Sequence, residues 1–189
     1  MASRQPPPDD HLVERRELLD EAGIGRTLRR VAAEIIEAAG TEPVYLVGIR
    51  TGGAYLAERL AGFIHDASGV RPALGAVDIT LYRDDVFLGL TKPEIGQTDL
   101  PEDIDGRTLV LVDDVLFTGR TVRAALEVLA DYGRPRVVRF AALVDRGRRE
   151  LPIQPDFVGL RLQTARTESV RVMLRERGEP DRVVLRERR

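Results

Sequence analysis

Apolar residues at Ile24, Leu28, Val31, Ala32, Ile35, Ile36 and Ala39 recur at spacings of three and four, which predicts an amphipathic helix. Asp20 stands where an N-cap belongs, and Gly40 ends the pattern. Val44 to Ile49 (VYLVGI) is a continuous apolar run, as in a parallel strand buried on both faces, and helical spacing returns over residues 54–64. Val77, Ile79 and Leu81 alternate with polar residues and predict a strand. Residues 83–107 then turn polar and rich in Gly and Pro with few packing anchors, which predicts a long mobile loop. Leu109 to Val112 reads as a buried strand, Arg120 to Tyr132 as a helix ended by Gly133, and Val137 to Val144 as a further buried strand. Short strands are expected at residues 157–160, 170–174 and 183–185. Strand and helix alternate, so the expected fold is α/β: a doubly wound, mainly parallel sheet with helices on both faces, whose ligands sit at the carboxyl ends of the strands.

With 189 residues, 43% of them hydrophobic, the chain can bury one sizeable core, so residues 12–189 are expected to form one domain. Residues 1–11, with three consecutive prolines, are expected to be a flexible tail. The absence of cysteine excludes disulfides, thiolate metal sites and a Cys nucleophile, and two histidines (His11, His65) leave no basis for a His-based metal cluster. No signal-peptide pattern and no long apolar run is present, so a cytoplasmic protein without membrane contact is expected. A formal charge of -2 gives no global basic field, and any nucleic-acid contact must come from a local patch.

The chemistry concentrates in residues 109–121, LVLVDDVLFTGRT. Asp113 and Asp114 stand where the apolar strand ends, and Thr118, Gly119, Arg120 and Thr121 lead into the next helix. Free N–H groups at a helix start hold a phosphate, Gly119 lets the backbone come close, and the threonine hydroxyls add donors. Two adjacent carboxylates beside that cradle accept hydrogen bonds from vicinal ribose hydroxyls, so the pattern fits a ribose 5-phosphate. One competitor is a phospho-acceptor aspartate as in receiver domains. Such a domain needs a lysine at a later strand end, and Lys92 is the only lysine here. The GxxxxGK[ST] and GxGxxG fingerprints are both missing. A plain turn cap followed by a helix entry is the bland reading of any shorter piece.

Residues 109–121 resemble the phosphoribosyl pyrophosphate motif of the type I phosphoribosyltransferases. Three further runs, VGIRTGGAYLAERL (47–60), DITLYRDD (78–85) and ALVDRGRRELPIQPDFVG (142–159), narrow the resemblance. Over about residues 15–175 the chain is similar to the bifunctional pyrimidine-operon attenuation regulators with uracil phosphoribosyltransferase activity. The resemblance implies a type I phosphoribosyltransferase fold with a hood, and conversion of uracil and phosphoribosyl pyrophosphate to UMP and pyrophosphate. It implies Mg²⁺ bound mainly through phosphoribosyl pyrophosphate, UMP-dependent binding of pyrimidine-operon mRNA, and a homodimer or larger homo-oligomer.

By the same resemblance, Arg50, Thr51, Gly52 and Gly53 form the pyrophosphate loop, Asp113 and Asp114 hold the ribose, and Val115, Leu116, Phe117, Thr118, Gly119, Arg120 and Thr121 complete the phosphoribosyl site. Arg83 is expected to swing over the pyrophosphate, or to be an exposed arginine paired with Asp84 or Asp85. Arg146 is expected beside the base, or in an ion pair with Asp145. Tyr82 and Phe117 are candidates for packing on a ring, or plain core. RNA contacts are expected from Arg29, Arg30, Arg148, Arg149 and Thr164, although arginines on the first helix also read as a solvated face.

Several positions depart from the family pattern. The usual loop reads Thr-Arg-Gly, whereas Thr51-Gly52-Gly53 lacks that cation. Gln154 and Leu160 stand where arginine and lysine are usual, and Ala33 where the first helix often has histidine, and each lost cation removes phosphate attraction. Three readings follow: an enzyme that also binds RNA, the enzyme alone, and a UMP-sensing RNA regulator with little catalysis. A related enzyme acting on orotate or a purine is the fourth.

Overall fold

The computed structural model describes residues 12–82, 97–100 and 103–188. The expected tail and Arg83 lie outside the described residues. In chain order the elements are β1 (Leu12–Leu19), α1 (Glu21–Ala39), β2 (Val44–Ile49), α2 (Gly52–Ser68), β3 (Ala73–Val77), β4 (Thr108–Leu116), α3 (Arg120–Tyr132), β5 (Val137–Asp145), β6 (Phe157–Arg161), β7 (Glu168–Met173) and β8 (Arg182–Arg188), with short 3₁₀ turns at Thr80–Tyr82 and Arg175–Arg177.

Five strands form a parallel sheet in the order β3-β2-β4-β5-β6. Alternate side chains of its central strands enter different cores, as the two-residue period of a strand requires. Val110 and Val112 of β4 pack with Leu46, Ile24, Leu28, Leu56 and Leu60 beneath α1 and α2. Leu109 and Leu111 pack with Val47, Val122, Val128 and Leu129 beneath α3 on the opposite face. Because both faces are covered, the strands read as continuous apolar runs. The doubly wound arrangement is therefore as expected.

A second sheet, antiparallel and ordered β1-β8-β7, pairs Leu12 with Arg188 at one end and Leu19 with Val183 at the other. Its Val172 and Val183, with Leu174 just beyond β7, sit in the same buried cluster as α1 and α2, and β7 lies against β4. Nothing in the sequence reading foresaw β1.

One further expectation needs correction. The strand predicted through Val77, Ile79 and Leu81 stops at Val77, because the Asp78 carboxylate accepts the Thr80 N–H at 2.7 Å and the chain turns into a 3₁₀ turn. Of the stretch 83–107, expected to have few anchors, residues 83–96, 101 and 102 lie outside the described residues; in the rest Ile104 is buried and Asp99 exchanges backbone hydrogen bonds of 2.6 and 2.8 Å with Ala76. Among the described residues, no helix is long and apolar enough to cross a membrane.

Candidate active site

The carboxyl ends of β2 and β4 lie side by side, Gly48 opposite Val112, and each leads within a few residues into a helix start. At neither start does the cap residue supply a side-chain acceptor: Thr51 before α2 and Gly119 before α3 make no side-chain cap hydrogen bond. By contrast, Asp20 caps α1 by accepting the Gly23 N–H at 2.6 Å. Uncapped N–H groups with the positive end of the helix dipole are where an anion binds.

Between the two helix starts stands the acidic pair. β4 was expected to end at Val112 but runs on to Leu116, with Asp113 opposite Ala142 of β5 and Leu116 opposite Asp145. Asp113 accepts the Asp114 N–H at 2.9 Å, and Asp114 accepts the Val115 N–H at 2.7 Å. Burial, and then the charge of Asp114, pushes the Asp113 carboxyl well above the usual carboxylate range. Burial also raises Asp114, against the Val115 N–H, a hydrogen bond with Asp113 and the charge of Arg177. The pair is therefore poised to hold a proton, or a ligand's hydroxyl groups, between its oxygens.

The loop after β2 presses directly on this pair. A Cβ built on Gly53 would lie 2.2 Å from the Val112 carbonyl oxygen, and one on Gly52 would lie 2.2 Å from Asp114 Oδ2. Glycine is what lets backbone and carboxylate approach so closely. The Arg50–Thr51 peptide is cis. Arg50 is exposed, its N–H bonded to the Val77 carbonyl and its Nε to the Gln97 carbonyl, both at 3.0 Å.

The loop after β4 is walled by residues 147–153. The Thr118 carbonyl accepts the N–H groups of Glu150 and Leu151 at 3.0 Å each, and Arg120 Nε donates to Glu150 at 2.9 Å. Gly119 takes φ +93°, and its Cβ position is 3.4 Å from Leu151 and Ile153. Thr118 Oγ1 accepts the N–H of Arg120, the first residue of α3, at 3.3 Å, and Thr121 is the second.

Arg146, at the end of β5, is buried. Its guanidinium lies 4.1 Å from the centre of the half-exposed Phe117 ring, and it donates to Thr164 Oγ1 at 3.1 Å and the Glu168 carbonyl at 2.5 Å. Burial, then the neighbouring Arg148 charge, lowers its pKa. The alternative of an Arg146–Asp145 ion pair is not what forms: Asp145 is held by Arg149 at 2.7 Å. Phe117 presents its ring to Arg146, whereas the Tyr82 hydroxyl bonds Asp131 on α3 and packs with that helix. Thus Asp113 and Asp114 near the end of β4, Gly52 and Gly53 at the start of α2, Arg120 and Thr121 at the start of α3, and Arg50, Thr51, Phe117, Thr118, Gly119 and Arg146 in the connections beside them all gather at the carboxyl end of the parallel sheet.

The RNA candidates are dispersed. Arg29 lies 4.8 Å over Phe63, and Arg30 is paired with Glu34 and bonded to the Val158 and Gly159 carbonyls. Arg148 is exposed and bonds the Thr164 carbonyl. Thr164 and Arg149 differ from expectation: Thr164 is 4% exposed, its hydroxyl tied to Arg146, and Arg149 is bound from all sides by its own chain. Sequence reasoning missed Arg177, the Gln97 anchor and the wall formed by 147–153. None of these carries a periodicity or spacing signal.

Comparison with known proteins agrees with this geometry. The family model "Phosphoribosyl transferase domain" matches residues 14–174, and the chain belongs to that family. Relatives named "Bifunctional protein PyrR" align along nearly its whole length. That of Chloroflexus aurantiacus is 53% identical over 171 residues, 90% of this chain and 94% of its own. That of Thermus thermophilus is 51% identical over 173 residues, 91% and 96% respectively. The hypoxanthine phosphoribosyltransferase of Trypanosoma cruzi has the same fold, with a TM-score of 0.70 at 17% identity over 93% of this chain and 98% of its own.

Proposed function

We propose that this phosphoribosyltransferase transfers the phosphoribosyl group of phosphoribosyl pyrophosphate to uracil, yielding UMP and pyrophosphate, and that it also binds pyrimidine-operon mRNA when UMP is bound. The observation that carries the catalytic half is the meeting of two helix starts, neither capped by its cap residue's side chain, on the adjacent carboxyls of buried Asp113 and half-buried Asp114. One start is matched to each phosphate-bearing end of the substrate: α2 to the pyrophosphate, α3 to the 5-phosphate. Asp113 and Asp114 hold the ribose hydroxyls between them, and Arg83 closes over the leaving group.

In the reaction, N1 of uracil bonds to the anomeric carbon as the bond to pyrophosphate breaks, and the N1 proton leaves. Catalysis comes from alignment and from stabilising the departing charge, with no covalent nucleophile. Arg146, stacked on Phe117, orients the base. Among the described residues no group of three His, Cys, Asp or Glu side chains is placed to hold a metal, whereas the adjacent Asp113 and Asp114 fit a magnesium that arrives on the substrate's own oxygens. Bound there, Mg²⁺ would neutralise charge on the pyrophosphate.

The regulatory half is supported by the relatives' shared name, "Bifunctional protein PyrR", and by the exposed arginines Arg29, Arg30 and Arg148. We place the protein in the cytoplasm, where its charged substrates are confined, as a homodimer or larger homo-oligomer. Residues 12–189 act as one domain, since both sheets share one buried cluster.

Gly52 favours a second reading, a UMP-sensing regulator with little catalysis, because it stands where the family loop has an arginine, leaving Arg50 as that loop's cation, and its Cβ space is filled by Asp114. The deciding experiment is pyrophosphate release from phosphoribosyl pyrophosphate and Mg²⁺ with uracil, orotate, hypoxanthine and adenine offered separately. Release with uracil alone is expected. Silence with all four, alongside UMP binding, would install the second reading.

A further inference from the structure

Arg148 and Arg149 are neighbours with opposite surroundings. Arg148, at φ +59°, is exposed, and one nitrogen bonds a carbonyl. The side chain of Arg149 is only 14% exposed. Its Nε donates to the Ile153 carbonyl at 2.9 Å, its Nη1 to the Phe117 and Gly147 carbonyls at 3.0 and 3.2 Å, and its Nη2 pairs with Asp145 at 2.7 Å. Asp145 in turn accepts the Gly147 N–H at 3.0 Å. One guanidinium therefore ties together the end of β5, the last residue before Thr118-Gly119, the turn at Gly147 and the returning chain at Ile153.

The tied residues support the loop expected to hold the 5-phosphate. Phe117 precedes it, Glu150 and Leu151 hydrogen-bond the Thr118 carbonyl, and Leu151 and Ile153 lie against Gly119. Without Arg149 the carbonyls of Phe117, Gly147 and Ile153 each lose a charged donor. The buried Asp145 loses its counter-charge, and such losses destabilise locally.

We infer that Arg149 is a positioning residue for the phosphate-binding loop Thr118–Thr121, fixing that loop's backbone from behind while its neighbour Arg148 faces outward. The inference rests on the reading of that loop as the 5-phosphate cradle. The planar fork of arginine is required because a single ammonium cannot reach Phe117, Ile153 and Asp145 at once.

The test uses the full chain with Arg149→Gln, Arg149→Lys and, as a charge-matched comparison at the far end of the sheet, Arg71→Gln. Steady-state kinetics give KM for phosphoribosyl pyrophosphate and for uracil, and hydrogen exchange reports the amides of residues 117–121. Arg149→Gln is expected to raise KM for phosphoribosyl pyrophosphate about 10- to 100-fold, more than KM for uracil, because misplacing a loop by about an ångström costs about that much. Exchange at 117–121 should quicken at least about tenfold while α1 and β2 stay protected. Arg149→Lys should recover little of either effect, and Arg71→Gln should match the parent.

Parental kinetics and exchange in Arg149→Gln, full recovery by lysine, or a loss confined to RNA affinity would each overturn the inference. If the glutamine variant does not fold, the lysine variant decides. Quickened exchange confined to 117–121 and 147–153 supports the brace, whereas quickening throughout the chain makes Arg149 a general strut and ends the proposal. A parent that is silent with phosphoribosyl pyrophosphate would sink the reading of the site, and exchange would still judge the brace.

Discussion

The starts of α1 and α3 are built from opposite solutions to the same problem. Every helix begins with N–H groups that lack partners within the helix. At α1 the chain supplies its own acceptor, Asp20, and the end is closed. At α3 the cap position is Gly119, which offers no side chain, the neighbouring wall of residues 147–153 bonds the Thr118 carbonyl, and Thr118 Oγ1 reaches the Arg120 N–H at 3.3 Å. A capped helix start is a finished structural joint, and an uncapped one set beside buried acids is a joint awaiting a ligand.

The largest effect should come from the acids beside α3. Asp113→Asn with Asp114→Asn is expected to weaken phosphoribosyl pyrophosphate binding by about 100-fold or more, since charge-assisted hydrogen bonds contribute about 1.5–3 kcal/mol each. Isothermal titration would read it, and unchanged affinity would remove the acids from the site.

Asp113 also gives a pH signature. Its folded pKa lies above the ordinary 3.8, so the folded state holds that proton more tightly than the unfolded chain. Its contribution to stability is full below 3.8 and is lost as pH rises towards the folded pKa. Asp113→Asn alone should therefore lessen the decline in Tm between acid and neutral pH. A parallel decline in both proteins would mean that the carboxyl is not raised.

Next in size is Gly119→Ala. At φ +93°, with Leu151 and Ile153 against the new methyl, it should cost about 1 kcal/mol and raise KM for phosphoribosyl pyrophosphate about tenfold. Asp20→Ala sharpens the contrast from the other side. Removing the cap should cost about 1 kcal/mol and lower Tm by about 2–4 °C, with substrate KM unmoved. A substrate effect there would mean that α1 is coupled to the site. Smallest is Arg30→Ala, whose exposed pair with Glu34 contributes a few tenths of a kcal/mol. If Arg30 meets RNA, the salt dependence of binding should fall by about one unit of slope.

How much of this was readable in the sequence followed from burial. β2 and the run from Val137 gave their bounds to within a residue because burial on both faces of a parallel sheet leaves mainly apolar side chains, and α3 did so through apolar positions at helical spacing ended by Gly133. The loops at Thr51-Gly52-Gly53 and Thr118-Gly119 were legible from glycine and hydroxyl chemistry at strand ends. β1 was not, because Glu14 to Glu17 are all exposed and two register shifts break the alternation. The continuation of β4 through Asp113 and Asp114 was hidden because acids are poor strand formers, and pairing with β5 overrides that preference. The different surroundings of Arg148 and Arg149 were hidden for a simpler reason: two adjacent arginines look alike until the fold places one outside and one largely inside.

The pairing of Leu12 with Arg188 has a mechanical consequence. The hydrogen bonds of an antiparallel pair run across the strands, and here the two strands' outer ends meet at the same edge. A pull applied through those ends peels β1 from β8 one bond at a time rather than shearing the whole ladder. The small sheet should open at low force, like a zip, while the parallel sheet bearing Asp113 and Asp114 remains unloaded until the peel reaches Leu19 and Val183.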